Sequence, residues 1–287
     1  MDDLSDWRDR VAPRGSALHY ALLDLPDAQR GPVLALHTLA HELLTVADRC
    51  QEPAVGECKL DWWRGELAAA QAGRASHPLT RALQPALGEG LLDGDALQTL
   101  VDGAAMDLRG EAWRDFAALQ LYLHDTGGVA AQQQARLCGA RHRHTLAAAQ
   151  RIGLGLRLAQ LLQDLPHHLR HGRLPLPLDE LAQAGVPPET LVPGRPLPAA
   201  TALFDAQLRR AADLLRDGLA RLPDDERLSQ RALVVQAELT LALLTEIRRD
   251  GCQLLARRVS LTPLRQWWIT GRTLRRLRRR SATIAAP

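Results

Sequence analysis

Apolar residues recur every three or four positions through most of this chain, and each run closes on a Pro, a Gly or a few small polar residues. That period predicts helices over 15–24, 27–50, 53–72, 77–88, 93–110, 113–125, 128–151 and 153–165. Residues 174–198 are Pro-rich and hold at most short helical turns. Long helices resume over 199–221 and 224–257, and a last one covers about 262–280. The run Pro223-Asp224-Asp225-Glu226 reads as a helix start, because acids in a first turn favour the dipole. With no internal repeat and no low-complexity linker, a single all-α domain over 1–287 is expected, with 1–12 flexible and 262–287 a basic amphipathic helix and tail.

Composition agrees with helices. Ala, Leu and Arg dominate, aromatics are 3%, and Val/Ile runs are short, so strands have little to build on. No apolar run reaches the ~18 residues of a membrane span. The opening MDDLSDWRDR is acidic and polar, unlike a secretory signal. Cys50, Cys58, Cys138 and Cys252 are scattered without a Cys-x-x-Cys pair and read as reduced thiols of a cytoplasmic protein.

The formal net charge is only +3, but seven arginines lie between Arg265 and Arg280, beside Leu264, Trp267, Trp268, Leu274 and Leu277. Such a segment suits the anionic inner face of a membrane, with Trp at the interface. A helix packed through its apolar side with a basic tail is the plainer alternative. No nucleic-acid motif accompanies the arginines, so no nucleic-acid partner is expected. Trp62-Trp63 and Trp267-Trp268 read first as core anchors.

The chemistry concentrates in 157–177, RLAQLLQDLPHHLRHGRLPLP. A helix ends near Asp164, then come His167, His168 and His171, then a Gly172-Arg173 turn into a Pro-bracketed segment. This layout resembles the second aspartate motif of the squalene/phytoene synthase family, which condenses two prenyl diphosphates head to head. In that family the helix ends in Asp-x-x-Glu-Asp before a Gly-Arg-x-x-x-x-Pro turn. Asp164, Gly172, Arg173 and Pro177 hold their places, while His167 and His168 stand where the two later acids belong.

The resemblance continues elsewhere. Residues 15–36 are similar to the family's opening, and 35–48 to the helix of its first aspartate motif. KLDWWRGEL at 59–67, DGAAMDL at 102–108, YLHDTGGVAAQQQARLCG at 122–139 and the Arg-x-Gly segment within 247–257 follow in family order. The resemblance implies an isoprenoid-synthase-like helical bundle around a central cavity, walled by the helices near 35–49, 115–138 and 145–165.

Family chemistry would use Mg²⁺ bridging diphosphate oxygens, held by two acid clusters facing each other. The first cluster here reads Leu44, Thr45, Asp48, so one aligned acid remains; Glu42 is near but on another face. By resemblance Asp48, Asp164 and Tyr122 are the catalytic candidates. Arg30, Arg173, His41 and Gln160 are candidates for holding substrate, and Asp48, Asp164, His167 and His168 for metal.

Three readings stay open. One is a member whose metal sites have decayed and which binds an isoprenoid or lipid or acts through a protein partner; family members involved in respiratory complex I assembly are similar in lacking the aspartates and are regarded as non-catalytic. Another is an active prenyltransferase on farnesyl or geranylgeranyl diphosphate, with Mg²⁺. The third is a different metal chemistry on His41, His167, His168 and Asp164, since imidazole suits Zn²⁺ or Fe²⁺ better than Mg²⁺.

Each candidate also has a plainer role. Arg30 and Arg173 could be helix-end ion pairs, and the histidines after the helix could cap it. Arg-His-Arg-His at 141–144 reads as a solvated face. Gly127 and Gly128 could serve close packing, and Ala131 stands where the family carries Gly. Gln132, Gln133 and Gln134 replace mostly apolar family positions. They suit a shorter or more polar ligand if they line the cavity, and mean nothing if they face water.

Overall fold

Helix α3, Asp27–Leu44, carries one wall of the site, and helix α10, Arg143–Gln163, carries the wall opposite. The computed structural model describes residues 2–50 and 52–285; the outermost parts of the expected leader and tail, Met1 and 286–287, lie outside the described residues. Among the described residues there are helices, turns and irregular segments but no strand. None of these helices is long and apolar enough to cross a membrane.

The order before the first wall is α1 Asp2–Val11 and α2 Ala17–Leu22. The segment expected to be flexible therefore forms a helix, with Trp7 buried and Arg10 paired to Glu42 at 3.1 Å. Ser16 caps α2 by accepting from the His19 amide.

Helix α3 ends one turn earlier than its apolar period suggests. The Thr45 hydroxyl donates back to the His41 and Glu42 carbonyls, and a new short helix, α4 Val46–Arg49, carries Asp48. Such back-bonding competes with the helix's own amides and bends the chain.

Helices α5 Pro53–Gln71, α6 Pro78–Gly88 and α7 Gly94–Leu108 follow. They pack on α3 around Val33, Leu36, Leu39, Leu60, Leu83 and Val101, all essentially solvent-free. Each such Leu contributes roughly 1.5–3 kcal/mol by leaving water. Glu66 is buried between α5 and α6, where it accepts from the Ser76 and His77 amides and the Ser76 and Thr80 hydroxyls. Those donors draw its pKa down to about 2 despite burial.

Helix α8, Phe116–Leu123, runs through a π turn, His124–Gly128, into α9, Val129–Leu137. The chain breaks next at Gly139, whose φ of +83° suits glycine, and not at residue 152, where the sequence pattern put the break. Gly153 and Gly155 are packing glycines inside a continuous α10. A Cβ on Gly153 would lie 2.3 Å from the Gly127 carbonyl oxygen and 2.7 Å from the Ala131 Cβ. Gly153 brings α10 against the backbone of the π turn at Gly127, and Gly155 brings it against Leu215 and the Ala211 carbonyl.

Beyond α10 come α11 Leu165–Arg170, α12 Leu178–Gln183, α13 Thr201–Arg221, α14 Arg231–Arg249 and α15 Pro263–Ala285. The long helix expected over 224–257 is shorter at both ends. Its acidic start is a turn in which buried Glu226 accepts from the Arg141 amide at 2.8 Å. After α14, Asp250 and Gly251 lead into an irregular stretch held by the Arg257–Asp250 ion pair. Helices α10, α13 and α14 enclose a second apolar cluster around Ile152, Leu158, Leu208, Leu215 and Leu233.

Candidate functional site

Between α3, α9 and α10 lies a cavity of about 990 Å³. Asp48, Asp164, Arg173, His167 and Arg258 rim its mouth, and Ala40, Ala130, Ala131 and Leu156 line its interior. The volume suits a drug- or lipid-sized ligand.

Asp48 sits on α4 at the mouth. Arg173 donates to its Oδ1, and His167 Nε2 lies 3.0 Å from its Oδ2. Burial alone would raise the Asp48 pKa, but these two partners outweigh it and hold the carboxyl below its ordinary range.

Arg173 reaches this position through a tight turn. The turn after α11 places Gly172 at φ of +71°, and the Arg173 amide donates back to the His168 carbonyl at 2.9 Å. The Gly-Arg pair is therefore a device for returning a guanidinium to the mouth.

Asp164 caps the end of α10 and pairs with Arg258 at 2.7 Å. His167 and His168 lie within the short helix α11, not beyond a helix end as the sequence suggested. His168 is buried, and burial together with the nearby Arg157 and Arg173 guanidiniums pushes its pKa down to about 3. It is a neutral ring at physiological pH.

The metal set expected from sequence is not the set brought together. Asp48, His167 and His171 place ligand atoms within 4.8 Å of one another, while Asp164 and His168 are not part of that cluster. One carboxylate with two imidazoles is a donor set for Zn²⁺ or Fe²⁺, and Mg²⁺ prefers all-oxygen surroundings. Asp48 has both oxygens engaged and Asp164 is paired to Arg258, so the residues present do not fit a Mg²⁺ cluster.

The charge balance points the same way. Six arginines line the cavity against three aspartates, Asp48, Asp107 and Asp164. A mouth built around Mg²⁺ would carry the excess on the acid side. Nε of Arg157 and Nε of Arg173 are buried donors without a partner among the described residues. Guanidinium thus outnumbers carboxylate along the cavity.

Arg157 and Asp107 were not singled out by sequence reasoning. Arg157 is 6% exposed in the middle of the apolar face of α10, and a cation at such a position demands a partner. It donates to the Tyr122 hydroxyl and, through Nη1, to Gln160 Oε1 at 3.1 Å. Tyr122 in turn donates to Asp107 Oδ2 at 2.6 Å. Burial raises the Asp107 pKa and Arg157 opposes it. Burial raises that of Tyr122 as well, which keeps the phenol protonated.

Tyr122 does not line the cavity. It lies behind the wall, where its hydroxyl accepts from Arg157 and donates to Asp107. His41 and Gln160 do line the cavity. Arg30 does not reach it: its guanidinium donates to the Leu22 and Leu25 carbonyls and pairs with Asp27 at 2.9 Å, tying α2 to α3.

The glutamine run splits three ways. Gln132 is half-buried beside Gln150, Gln133 accepts from the Asp93 amide at 2.9 Å, and Gln134 lines the cavity.

Comparisons with known proteins bear on this site. The family model described as squalene/phytoene synthase matches residues 11–265. The chain is 26% identical to phytoene synthase 1, chloroplastic, of Solanum lycopersicum over 66% of its length, and spans about half of that relative, 47%. It is 27% identical to phytoene synthase of Mycobacterium tuberculosis, covering 90% of this chain and 85% of the relative. A dehydrosqualene synthase solved in complex with ligand aligns at TM-score 0.82 and 16% identity, over 97% of each chain. Squalene synthase HpnC from Alicyclobacillus acidocaldarius aligns at TM-score 0.75 and 20% identity, over 88% of this chain and 94% of that one. These structural likenesses show an isoprenoid-synthase helical fold.

Proposed function

Because this chain belongs to the squalene/phytoene synthase family, we propose that it binds an isoprenoid or other lipid with an anionic head in its central cavity, without metal-dependent condensation of prenyl diphosphates. The observation that carries this reading is the closure of Asp48 by Arg173 and His167. A carboxylate engaged on both oxygens by cations and ring N–H groups is a poor site for Mg²⁺, and Asp164 is committed to Arg258. The unmatched Arg157 and Arg173 donors favour phosphate or carboxylate oxygens arriving with the ligand. The head would bind at the mouth without a bridging ion, and the chain would enter among Ala40, Ala130, Ala131 and Leu156.

In this reading Arg173 and Arg157 hold the head, Gln160 orients Arg157, and Tyr122 with Asp107 fixes Arg157 from behind. His41 adds a half-buried ring whose pKa burial lowers, so it contributes no positive charge near neutrality.

A second reading, an active transferase on farnesyl or geranylgeranyl diphosphate with Mg²⁺, is favoured by Asp48 and Asp164 lining one mouth. Diphosphate release from both substrates with Mg²⁺, Mn²⁺ or Zn²⁺, beside Asp164→Asn, separates the two. We expect no metal-dependent release from folded protein that still binds the substrates. Release that needs both a metal and Asp164 would replace the binding reading with the transferase.

A further inference from the structure

Deep in the cavity a polar group stands where only apolar lining is needed. Gln134 on α9 is 1% exposed, and it lines the cavity together with His37 of α3 and Gln236 of α14. Its Oε1 lies 2.7 Å from His37 Nε2 and accepts from Gln236 Nε2 at 3.3 Å. A carboxamide oxygen only accepts, so the shared proton sits on Nε2 of His37. Burial lowers the His37 pKa, and the ring stays neutral in that tautomer.

Two donors converging on Oε1 fix the orientation of the amide. Its other end, Nε2, is then turned away from both partners. That nitrogen is buried and has no hydrogen-bond acceptor among the described residues. A buried amide donor without an acceptor costs the folded state unless something else supplies one. Ala40, Ala130, Ala131 and Leu156, which line the same cavity, carry no side-chain acceptor.

We propose that Gln134, oriented by His37 and Gln236, forms a subsite for an oxygen acceptor, a hydroxyl or a carbonyl, carried part-way along the apolar chain of the bound ligand. The inference rests on the cavity being a binding site for an amphiphile with an anionic head. His37 precedes Asp48 by eleven residues, and Gly153, packed on Ala131, precedes Asp164 by eleven, as read from the sequence. Along α10, which is unbroken from Gly153 to its cap at Asp164, that offset corresponds to about 16 Å of depth inside the mouth. A wholly hydrocarbon chain passing that point would strip Gln134 of water and give nothing back. An oxygenated chain would meet the donor.

The distinction is one of ligand class. Arginines at the mouth select an anionic head, and Gln134 selects a chain that is oxygenated in its middle over one that is not.

The test uses three probes with the same head and chain length: stearate, 12-hydroxystearate and 12-oxostearate. Their carboxylates take the mouth, and the substituted carbon lies at about the depth of Gln134. Affinities are measured by calorimetry on the full chain. The wild type should bind each oxygenated probe about tenfold more tightly than stearate, one satisfied buried donor. Gln134→Met should remove that preference and tighten stearate. The wild-type ratio decides by itself if the variant fails to fold. Equal affinities for all three probes would overturn the subsite and leave the cavity reading standing. No binding of any of the three would overturn the cavity reading, and the subsite with it.

Discussion

Arg173 donates to Oδ1 of Asp48 across 125 positions of sequence, and this pair closes the mouth of the cavity. The two residues come from walls that in a metal-dependent site would face each other through cations. Here a guanidinium supplies the positive charge directly. Arg173 then has a double role, neutralising Asp48 and offering Nε to a ligand.

Replacing Arg173 separates these roles. Arg173→Ala should weaken binding of inorganic diphosphate by about tenfold to a hundredfold without metal, the range for losing a charge-assisted hydrogen bond. Calorimetry at fixed ionic strength measures it. An affinity equal to wild type would remove Arg173 from the anion site.

His168 gives the fold a pH dependence with a definite sign. Its pKa falls from the ordinary 6.5 to about 3, first through burial and then through Arg157 and Arg173. As pH drops through about 6.5 the unfolded chain takes up a proton there and the folded chain does not. Stability therefore declines with falling pH from about 6.5 down to about 3. In His168→Gln that part of the slope should vanish. Urea midpoints at pH 7 and pH 5 test it, and parallel losses in both proteins would mean that His168 is not held neutral.

Much of the architecture was readable from periodicity, because helix faces bury Leu and Ala at regular spacing. What periodicity missed was the meaning of glycine. Gly153 and Gly155 resembled a break, yet they sit in a helix whose neighbours come too close for a Cβ. The true break, at Gly139, was hidden inside a run of good helix formers. At the site, the order Asp164, Gly172, Arg173 was legible, since a turn needs its glycine at a fixed offset. The partners of Arg157 were not, because Tyr122 and Asp107 are 35 and 50 positions away in the numbering. The glutamine run left two outcomes open, and only packing could say that Gln134 alone faces the cavity.

Gly153→Ala would drive a methyl into the Gly127 carbonyl and Ala131, and should cost about 1–3 kcal/mol as overpacking. Gly65, also helical, has open space around it, with nothing within 4 Å of where a methyl would stand. Gly65→Ala should therefore stabilise by about 0.4–1 kcal/mol through the unfolded chain. Chemical denaturation of both variants tests the contrast. Equal effects would mean that α10 does not meet the Gly127 carbonyl at Gly153.

Sequence reasoning made Trp267 and Trp268 core anchors, but they are 69% and 52% exposed, and neighbouring Leu264 is 81% exposed. Helix α15 is held elsewhere, by buried Leu277, by the Tyr20 hydroxyl donating to the Pro263 carbonyl at 3.2 Å, and by Arg278 on Asp24. The exposed aromatics are thus not needed to dock it. Arg272 lies over the Trp268 ring at 5.3 Å, so the patch joins apolar and cationic surface. Arg257 and Arg258 of the cavity mouth precede Pro263 by only a few residues. A lipid surface with anionic headgroups matches this combination and would set the mouth near its source of ligand. Vesicles of phosphatidylcholine with phosphatidylserine should co-sediment the wild type at low salt. The double variant Trp267→Ser, Trp268→Ser should bind them about tenfold more weakly while keeping its thermal midpoint. Undiminished binding by that variant would shift the contact to the arginines alone, and no binding by the wild type would leave the patch without a membrane role.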